Sequence, residues 1–338
     1  MNLEELADLK TPWCLRVAAT LRIADQLAGG PRDIAELAAT AGCDADSLHR
    51  VLGHLADKGV FEQLAQGRFA LNEAARPLCE PAVRIGLDLD GIGGRFAHAW
   101  GTMLSAVRSG QCAYAERFGL PFWDDLAAHP ALAASFDDLM GSVGHGTPDP
   151  EVLVDGDWSA VRTVVDVGGG TGSLLAEILR AHPAVHGTLV DLPQTVARAA
   201  PVFEAAGVAD RAAVVGRSFF DALPPGADLY VLKSVLNDWP DREAQAILQR
   251  CAEAVPGSGR IAILGGVVPD GTGHGGVTED LIVARGLGGK PRTVERFRGL
   301  AEDADLAVVA TGRQPSGRFV IECRRTTAGS RHADRGRP

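Results

Sequence analysis

The sequence predicts an α/β protein with a mainly parallel, doubly wound sheet in its C-terminal half and a largely helical module before it. From residue 163 onward, apolar β-branched segments alternate with helical patterns, which is typical of a parallel sheet covered by helices on both faces. Before residue 90, helical patterns follow one another across short turns. The length of 338 residues agrees with two domains.

The composition is that of an ordinary globular protein, with 46% hydrophobic and 22% charged residues. The net charge of −10 argues against a nucleic-acid partner held by phosphate contacts. The six cysteines form no Cys-x-x-Cys pair, so we expect neither a zinc site nor a disulfide framework. No apolar run could span a bilayer, and the acidic first residues do not resemble a signal peptide. We therefore expect a cytoplasmic protein without a metal, a membrane or a nucleic-acid partner.

The N-terminal module begins with a helical repeat over residues 3–28, in which Pro12 predicts a kink or a break. A short helix is expected over residues 31–42, and Asp44 or Asp46 would cap the helix after it. A Gln-Gly turn between two apolar segments then predicts a small hairpin. Three helices and a hairpin form a winged-helix pattern, so the module is all-helical apart from its wing.

A winged helix either binds DNA or serves as a structural domain. A DNA-binding module needs a basic recognition helix, but residues 31–75 carry four basic residues against seven acidic ones. We favour a domain for dimerisation and substrate enclosure.

Residues 80–150 look helical, and Gly91, Gly93 and Gly94 are expected to separate one segment from the next. This stretch joins the two modules, and ligand pockets favour domain junctions. The expected division is a winged-helix-like dimerisation domain (1–90), a helical linker and substrate-pocket segment (91–150), a sheet domain (151–325) and a disordered tail (326–338).

The sheet domain is predicted in detail by its alternating pattern. The predicted strands cover residues 163–167, 187–190, 212–215, 229–232, 260–264, 307–311 and 319–323. The predicted helices cover residues 173–181, 193–206, 241–254, 278–287 and 293–304. The last two strands follow one another directly, which suggests an antiparallel end to the sheet.

A glycine-rich stretch after the first strand carries the clearest functional signal. Gly168, Gly170 and Gly172 follow an acid, Asp166, and a helical pattern starts at Ser173. Such a turn lets backbone approach a ligand at a helix N-terminus. A dinucleotide fingerprint requires Gly or Ala where Ser173 stands, and an acid at 166 would repel a pyrophosphate.

The acid before the first glycine suits the ammonium group of an amino-acid moiety instead. Asp191, at the end of the second strand, is placed to accept two hydrogen bonds from a ribose diol, which either ligand offers. We favour S-adenosylmethionine over a nicotinamide cofactor, with Asp166, Gly168, Gly170 and Asp191 among the cofactor-binding residues.

Several motifs together resemble those of class I O-methyltransferases, in the branch of caffeate-type and bacterial natural-product enzymes. They are the glycine loop, Leu-Val-Asp-Leu-Pro at 189–193, Ser-Phe-Phe at 218–220, Leu-Asn-Asp-Trp-Pro-Asp at 236–241 and Gly-Gly-Lys-x-Arg-Thr at 288–293. The resemblance spans nearly the whole chain. It implies a Rossmann-like S-adenosylmethionine-binding domain, a homodimer through the N-terminal domain and a substrate pocket between the domains.

The resemblance also implies roles for single residues. Asp191, with Leu192 beside it, would hold the ribose, while Ser218 and Phe219 would line the adenine site. Lys233 would contact the cofactor through its backbone. The implied substrate is a planar aromatic or polyketide-like small molecule of natural-product biosynthesis.

The family's catalytic positions are changed in this chain. In the family a histidine before Asp-Trp removes the proton of the substrate hydroxyl, and Asn237 stands at that position here. An amide has no useful pKa and cannot act as a general base. Gly265 aligns with the acid that orients the histidine, and Pro291 replaces a further acid. The base machinery of the family is therefore expected to be absent.

Other residues are candidates to compensate or to bind substrate. Asp238 and Asp280 are alternative bases near Asn237, although an aspartate is a weak base unless burial raises its pKa. His98 and His145 lie in the substrate-side helices, where either could face the methyl group.

Three further substrate contacts are expected, each with an ordinary structural alternative. Trp100 and Met140 lie in the substrate-pocket segment, although aromatic residues and methionine at helical spacing are often core residues. Arg285 would bind an anionic substrate, or it is an ordinary solvated arginine.

Three functions agree with this pattern. The first is O-methyl transfer by proximity to a pre-acidified hydroxyl, because effective molarity alone lowers the barrier strongly. The second is an enzyme that binds S-adenosylmethionine but catalyses hydroxylation, decarboxylation or cyclisation. The third is a non-catalytic binding or regulatory protein. The intact cofactor motifs favour the first.

Overall fold

A computed structural model of the protein describes residues 2–110, 112–141, 147–268, 289, 291–314 and 316–326. The chain divides into two compact units. The N-terminal unit comprises Met1–His98 with Ala131–His145, and the C-terminal unit comprises Ala99–Pro130 with Gly146–Pro338. The segment predicted as a linker, residues 91–150, therefore contributes to both units.

Helices and strands alternate regularly only in the second half of the chain. Within the described residues the helices are α1 (Leu3–Leu6), α2 (Lys10–Thr20), α3 (Ile23–Leu27), α4 (Ile34–Ala41), α5 (Ala45–Asp57), α6 (Pro81–Leu87), α7 (Ile92–Ala99), α8 (Met103–Ser109), α9 (Tyr114–Phe118), α10 (Phe122–Ala128), α11 (Pro130–Met140), α12 (Ser173–Ala181), α13 (Pro193–Val196), α14 (Ala200–Ala205), α15 (Asp241–Ala254) and α16 (Val294–Asp303). The strands are β1 (Arg32–Asp33), β2 (Glu62–Leu64), β3 (Arg68–Ala70), β4 (Thr163–Val167), β5 (His186–Asp191), β6 (Ala212–Gly216), β7 (Leu229–Lys233), β8 (Arg260–Leu264), β9 (Val267–Val268), β10 (Arg292–Thr293), β11 (Leu306–Arg313) and β12 (Phe319–Arg325).

Capping residues set the helix ends of the winged-helix module. Asp33 caps α4 at its start, and Gly42, with a φ of 66°, ends it. Asp44 rather than Asp46 caps α5, because its carboxylate accepts the Ser47 backbone N–H at 2.8 Å. The predicted hairpin is present as β2 and β3, and β1 adds a third antiparallel strand in the order β1-β3-β2. β1 was not predicted, because its two polar residues show no alternation of apolar and polar side chains.

The prediction that Pro12 interrupts the first helix is wrong. Pro12 lies in the first turn of α2, where its missing N–H removes no helical hydrogen bond. The break comes earlier, where Asp8 accepts the Lys10 backbone N–H at 2.9 Å. A second break follows at Arg22, which has a φ of 55°.

The prediction that glycines separate the helices after residue 90 is only partly correct, because Gly93 and Gly94 lie inside α7. A Cβ on Gly93 would come within 2.5 Å of the Gly86 carbonyl oxygen, and one on Gly94 would overlap the Leu89 carbonyl oxygen. The two glycines therefore allow α7 to pack directly against the backbone of the preceding turn.

The C-terminal unit is built on a seven-stranded sheet in the order β11-β12-β8-β7-β4-β5-β6. The strands from β8 to β6 in this order run parallel. β12 is antiparallel to both β8 and β11. The predicted doubly wound sheet with an antiparallel end is confirmed. β4 lies between β5 and β7, so the strand order reverses there, and such a point favours ligand binding at the carboxyl ends of the strands.

Each face of the sheet is covered by an apolar core. One core contains Tyr230 and Leu248 with residues of α15 and α16, and the other contains Val164 and Leu175 with residues of α12. Burial on both faces explains why the central strands β4, β7 and β8 are mainly apolar. The packing on both faces therefore holds the carboxyl ends of the strands in place.

The single helix predicted over residues 193–206 is wrong, because α13 and α14 are separated by residues 197–199. Pro201 lies in the first turn of α14. Proline cannot continue an earlier helix, since it lacks the N–H and its ring clashes with the carbonyl group four residues before it.

Two predicted segments lie outside the described residues. They are the helix predicted over residues 278–287 and the tail after residue 326.

Within the described residues, no helix has both the length and the apolar character to cross a membrane. The same residues contain no cluster of three or more His, Cys, Asp or Glu side chains arranged to hold a metal ion.

Candidate functional site

The loop between β4 and α12 exposes backbone at the carboxyl end of the sheet. Gly168, Gly170 and Gly172 have φ values of 69°, 62° and 86°, which side chains of L-residues rarely adopt. The Gly168 N–H donates to the Val190 carbonyl oxygen at 2.8 Å and so joins the loop to the end of β5. The glycine spacing in the sequence thus corresponds to a specific path of the backbone.

Two of these glycines are also needed for packing. A Cβ on Gly168 would lie 2.8 Å from Val235 Cγ2 and 3.3 Å from the Phe219 ring. A Cβ on Gly172 would lie 2.6 Å from the Phe203 ring. A Cβ on Gly170 would meet no atom within 4 Å, so that side of the loop is open.

Asp191, at the end of β5, is tied to this loop. Its Oδ2 accepts the Gly170 N–H at 2.8 Å, and its Oδ1 accepts the Leu192 N–H at 2.7 Å. Burial raises the pKa of Asp191, and the two backbone hydrogen bonds lower it. Because each carboxylate oxygen has a second lone pair, Asp191 fixes the loop and can still accept hydrogen bonds from a ribose diol.

Asp166 is a buried carboxylate beneath the loop, with 1% of its surface exposed. Burial raises the pKa of Asp166 to about 7; the nearby Lys233 ammonium group opposes this rise, and Asp191 adds to it. The backbone N–H of Leu175 approaches closely enough to lower the pKa, but neither Asp166 oxygen accepts a hydrogen bond from a described residue. A carboxylate in this state is stabilised strongly by a cationic group.

An aromatic cluster, consisting of Phe219, Phe220, Trp239 and Trp123, lies beside the loop. Phe219 and Phe220 each pack edge-on against Trp239, with ring centroids 5.8 and 4.9 Å apart. Trp123 is stacked on Trp239 with centroids 6.3 Å apart and an angle of 13° between the rings. Ser218 Oγ accepts the Phe220 N–H at 3.2 Å and so supports the turn that carries Phe219.

These residues fit S-adenosylmethionine on structural grounds. The Asp166 carboxylate, which lacks a partner among the described residues, suits an ammonium group, and the spare lone pairs of Asp191 suit a ribose diol. The Phe219 ring, in contact distance of the loop, offers an apolar face to an adenine.

A second element of the site follows β7. The short 3₁₀ turn Leu236–Asp238 carries Asn237 and Asp238, each only 7% exposed. Asn237 Nδ2 donates to Asp238 Oδ1 at 2.9 Å. Because a carboxylate accepts hydrogen bonds, it determines which end of the amide faces it. Asn237 Oδ1 is left as a buried acceptor that has no hydrogen-bond partner among the described residues.

Glycines surround this turn. A Cβ on Gly266 would overlap the Asn237 Cβ, and one on Gly289 would overlap the Asn237 carbonyl oxygen. Gly265 has a φ of 85°, and a Cβ there would lie 2.7 Å from Ser234 Oγ. An acidic side chain at position 265 would therefore be strained in this backbone.

The predicted substrate contacts lie in both units. In the N-terminal unit, the His98 ring packs against Trp13 with centroids 5.1 Å apart, and Met140 is the last residue of α11. In the C-terminal unit, Trp100 begins a short 3₁₀ turn and is 39% exposed. Their roles as substrate contacts stay predictions.

Three predicted site residues lie outside the described residues. They are the alternative base Asp280 and the substrate contacts His145 and Arg285. Their roles also stay predictions.

The sequence alone assigned no role to Arg292 or to the stacked pair Trp123 and Trp239. The side chain of Arg292 has no exposed surface. Its one signal in the sequence was its place in the Gly-Gly-Lys-x-Arg-Thr motif. The tryptophan pair gave no signal, because the two residues are far apart along the chain.

Two family models match the chain. A model of the O-methyltransferase dimerisation domain matches residues 4–81, and a model of the O-methyltransferase domain matches residues 100–306. The chain belongs to the O-methyltransferase family.

Relatives in this family are similar to this chain over most of their length. The chain is 43% identical to a 2,7-dihydroxy-5-methyl-1-naphthoate 7-O-methyltransferase of Streptomyces carzinostaticus, over 92% of this chain and 93% of the relative. It is 40% identical to the aclacinomycin 10-hydroxylase RdmB of Streptomyces purpurascens, over 91% of this chain and 84% of the relative.

A solved structure gives the same result. The O-methyltransferase NcsB1 from neocarzinostatin biosynthesis, in complex with S-adenosylmethionine and 2-hydroxy-5-methyl naphthoic acid, has a TM-score of 0.86 and 41% identity. The match covers 96% of this chain and 99% of that one.

The comparisons confirm the predicted family, fold and cofactor. The protein is a methyltransferase whose cofactor is S-adenosylmethionine. Its Rossmann-like domain follows a helical dimerisation domain.

Proposed function

We propose that the protein transfers the methyl group of S-adenosylmethionine to a hydroxyl group of an aromatic or polyketide-type small molecule in natural-product biosynthesis. The aromatic cluster beside the cofactor loop supports a planar substrate. One relative is named for a naphthoate substrate and another binds a naphthoic acid, and both support the same class.

The single observation that carries the proposed mechanism is the buried amide of Asn237. Bound S-adenosylmethionine supplies an electrophilic methyl group on a sulfonium centre. The chain has to hold the acceptor oxygen close to that centre and in line with it. Asn237 Oδ1 accepts a hydrogen bond from the substrate hydroxyl, because Asn237 Nδ2 is turned toward Asp238.

Because an amide does not take up a proton near neutral pH, Asn237 orients the hydroxyl without deprotonating it. The hydroxyl proton leaves to water, and the acidity of the substrate limits the rate. Phenols beside an electron-withdrawing group are therefore better substrates than aliphatic alcohols.

The test is a methyl-transfer assay with S-adenosylmethionine labelled in its methyl group. Hydroxynaphthoates and other phenols of graded acidity are offered at several pH values. We expect label in the product and a rate that rises with pH up to the pKa of each substrate hydroxyl. In Asn237→His we expect an added inflection near pH ~6.5 and faster turnover of the less acidic phenols.

Other outcomes contradict the proposal. Consumption of a substrate without loss of the label from S-adenosylmethionine would establish a non-methylating enzyme. A wild-type pH profile with the same inflection for every phenol would reveal an enzyme base. Calorimetry that detects no binding of S-adenosylmethionine would exclude catalysis with this cofactor.

We also propose that the protein forms a homodimer through its N-terminal domain. We further propose that it is located in the cytoplasm. Leu6 and Leu9 are 64% and 74% exposed within the stretch that matches the dimerisation domain, and such exposed apolar side chains favour a partner surface. All six cysteines are free thiols, which supports a reducing compartment.

The oligomeric state is tested by light scattering. The molar mass of wild type is expected to be twice that of a single chain. The double variant Leu6→Glu with Leu9→Glu is expected to have the mass of a single chain. Val214→Glu, at a side chain 49% exposed on the edge strand β6, is the matched control and should stay dimeric. A monomeric wild type would disprove the proposed dimer.

A further inference from the structure

Arg292 is the largest fully buried side chain of the described residues and it is charged. Its backbone N–H donates to the Gly266 carbonyl oxygen at 2.8 Å, and it pairs with Val267 where β10 runs parallel to β9. Its side chain crosses from there to the turn after β7.

The guanidinium group holds that turn at both ends. Nη1 donates to the Leu236 carbonyl oxygen and Nη2 to the Trp239 carbonyl oxygen, each at 2.6 Å. Nε donates to Asp241 Oδ1 at 2.8 Å. The two carbonyl groups flank Asn237 and Asp238, so one planar group spans the two residues. The positions of its donors relative to one another are fixed by its geometry.

Stability alone does not explain this arrangement. A buried ion pair costs desolvation energy, and well-packed apolar residues often replace such a pair without loss of stability. What an apolar side chain lacks is the ability to fix two carbonyl groups at a set separation. The other side of the turn is also fixed, since Gly266 packs closely against Asn237 Cβ and Gly289 against the backbone of Asn237 and Asp238.

We propose that Arg292 is a positioning residue for methyl transfer, which it serves by fixing the turn that carries Asn237. This inference rests on the proposed function of Asn237 as the residue that orients the substrate hydroxyl. Displacement of a reacting group by about 1 Å costs about 100-fold in rate, so a loosened turn lowers kcat.

The test compares Arg292→Lys with Arg296→Lys. Lysine keeps the charge at position 292 but replaces the planar group with a single ammonium group. Arg296 binds the same carboxylate, with Nε donating to Asp241 Oδ2 at 3.0 Å, yet its side chain is 50% exposed and its bonds do not reach the turn carbonyls. It is therefore the matched control for an arginine-to-lysine change at the Asp241 ion pair.

For Arg292→Lys we expect kcat to fall about 30-fold to 100-fold, while the Kd for S-adenosylmethionine changes less than about 3-fold. Arg296→Lys should keep kcat within about 2-fold. Amide hydrogen exchange at residues 236–239 should be faster than in wild type for Arg292→Lys but not for Arg296→Lys. A purely structural role would instead lower the Tm and leave kcat per cofactor-binding site unchanged.

The outcomes separate this inference from the proposed function. An Arg292→Lys protein with wild-type kcat and wild-type exchange at 236–239 overturns the inference while wild type continues to transfer methyl groups. Failure of wild type to methylate any phenol overturns the proposed function and, with it, the positioning role. Should Arg292→Lys not fold, Asp241→Asn replaces it, because this variant removes the charged partner of Nε and so loosens the hold of the guanidinium group on the two carbonyl groups. Its kcat should fall by about 5-fold, and an unchanged kcat would count against the inference.

Discussion

The glycine loop and the Leu236–Asp238 turn follow adjacent strands, β4 and β7, but they are held in place by different means. The loop is fixed by its own glycines and by two hydrogen bonds to the end of β5, from the Gly170 N–H to Asp191 Oδ2 and from the Gly168 N–H to the Val190 carbonyl oxygen. The turn is fixed by side chains and glycines from distant segments, chiefly Arg292 and Gly266. A short local sequence therefore determines the loop, whereas the turn depends on how several segments meet.

The difference agrees with the sequence pattern, in which the expected cofactor-binding residues are present and the expected catalytic histidine and acids are not. A substitution at 237 alters a side chain at the end of a turn and leaves the loop untouched. A substitution at 168 alters the backbone path itself. We therefore expect a substitution at 237 to affect the reaction more than cofactor binding.

The largest effect is expected from Gly168→Ala. The new Cβ would be strained at a φ of 69° and would lie 2.8 Å from Val235. Strain and overpacking together should cost about 3 to 5 kcal/mol of stability in cofactor-free protein. Gly170→Ala shares the strain but meets no atom within 4 Å, so it should cost about 1 to 2 kcal/mol.

Urea denaturation of both variants tests this prediction, and equal losses would show that packing against Val235 is unimportant. Calorimetry adds a second comparison. If Gly170→Ala weakens cofactor binding more than Gly168→Ala does, the open side of the loop is the one that contacts the cofactor.

The next effect is a decrease in stability of the cofactor-free protein with rising pH. The pKa of Asp166 is raised from 3.8 to about 7 in the folded state. Folded protein therefore retains a proton that the unfolded chain has released, and this stabilisation is lost as the pH rises through about 7. Between pH 5 and pH 8 the free energy of unfolding should fall by about 3 kcal/mol.

Chemical denaturation across this pH range provides the measurement, and Asp166→Asn provides the control. The variant lacks the titrating group, so its stability should change much less between pH 5 and pH 8. Parallel profiles for the two proteins would assign the pH dependence to other groups.

A smaller effect is expected at the turn. Asn237→Ala removes the proposed acceptor and should lower kcat/KM by about 10-fold to 30-fold, which corresponds to one hydrogen bond. The Kd for S-adenosylmethionine should stay within about 2-fold, because the glycine loop is unchanged. A matching loss of cofactor affinity would show that the loop and the turn are coupled.

The smallest effect is expected in the aromatic cluster. Trp123→Phe keeps a ring against Trp239 and should cost about 0.5 to 1 kcal/mol of stability, with little change in cofactor affinity. Trp239→Phe also affects the packing of Phe219 and Phe220, so it should weaken cofactor binding more. Thermal unfolding and calorimetry separate the two variants, and the reverse order of cofactor affinities would count against Phe219 as an adenine contact.

The sheet was predictable because its strands carry their own signals. β4 and β8 were predicted at their observed limits, since each is a short, mainly apolar run that begins at a polar residue and is followed by glycine. The errors at Pro12 and over residues 193–206 share one cause. A proline permits the first turn of a helix and forbids its interior, and sequence alone does not fix where a helix starts.

The site was predictable in part, and the limit has a physical reason. The position of Asn237 followed from its motif, and the glycine loop followed from its spacing. The contacts of Arg292 with two carbonyl groups did not, because carbonyl groups are present at every residue and leave no trace in a sequence. The tight fit of Gly266 against Asn237 depends on tertiary packing in the same way.

The short parallel pair of β9 and β10 has a consequence for insertions and deletions between the two strands. Arg292 lies opposite Val267 and Thr293 opposite Val268, so this pairing brings the two ends of the intervening sequence together. A stretch with anchored ends tolerates changes in length and sequence at low cost, because loop-closure entropy grows slowly with length. We therefore expect changes of length between Val268 and Gly289 to be tolerated, while the pairing of β9 with β10 keeps Arg292 in its place.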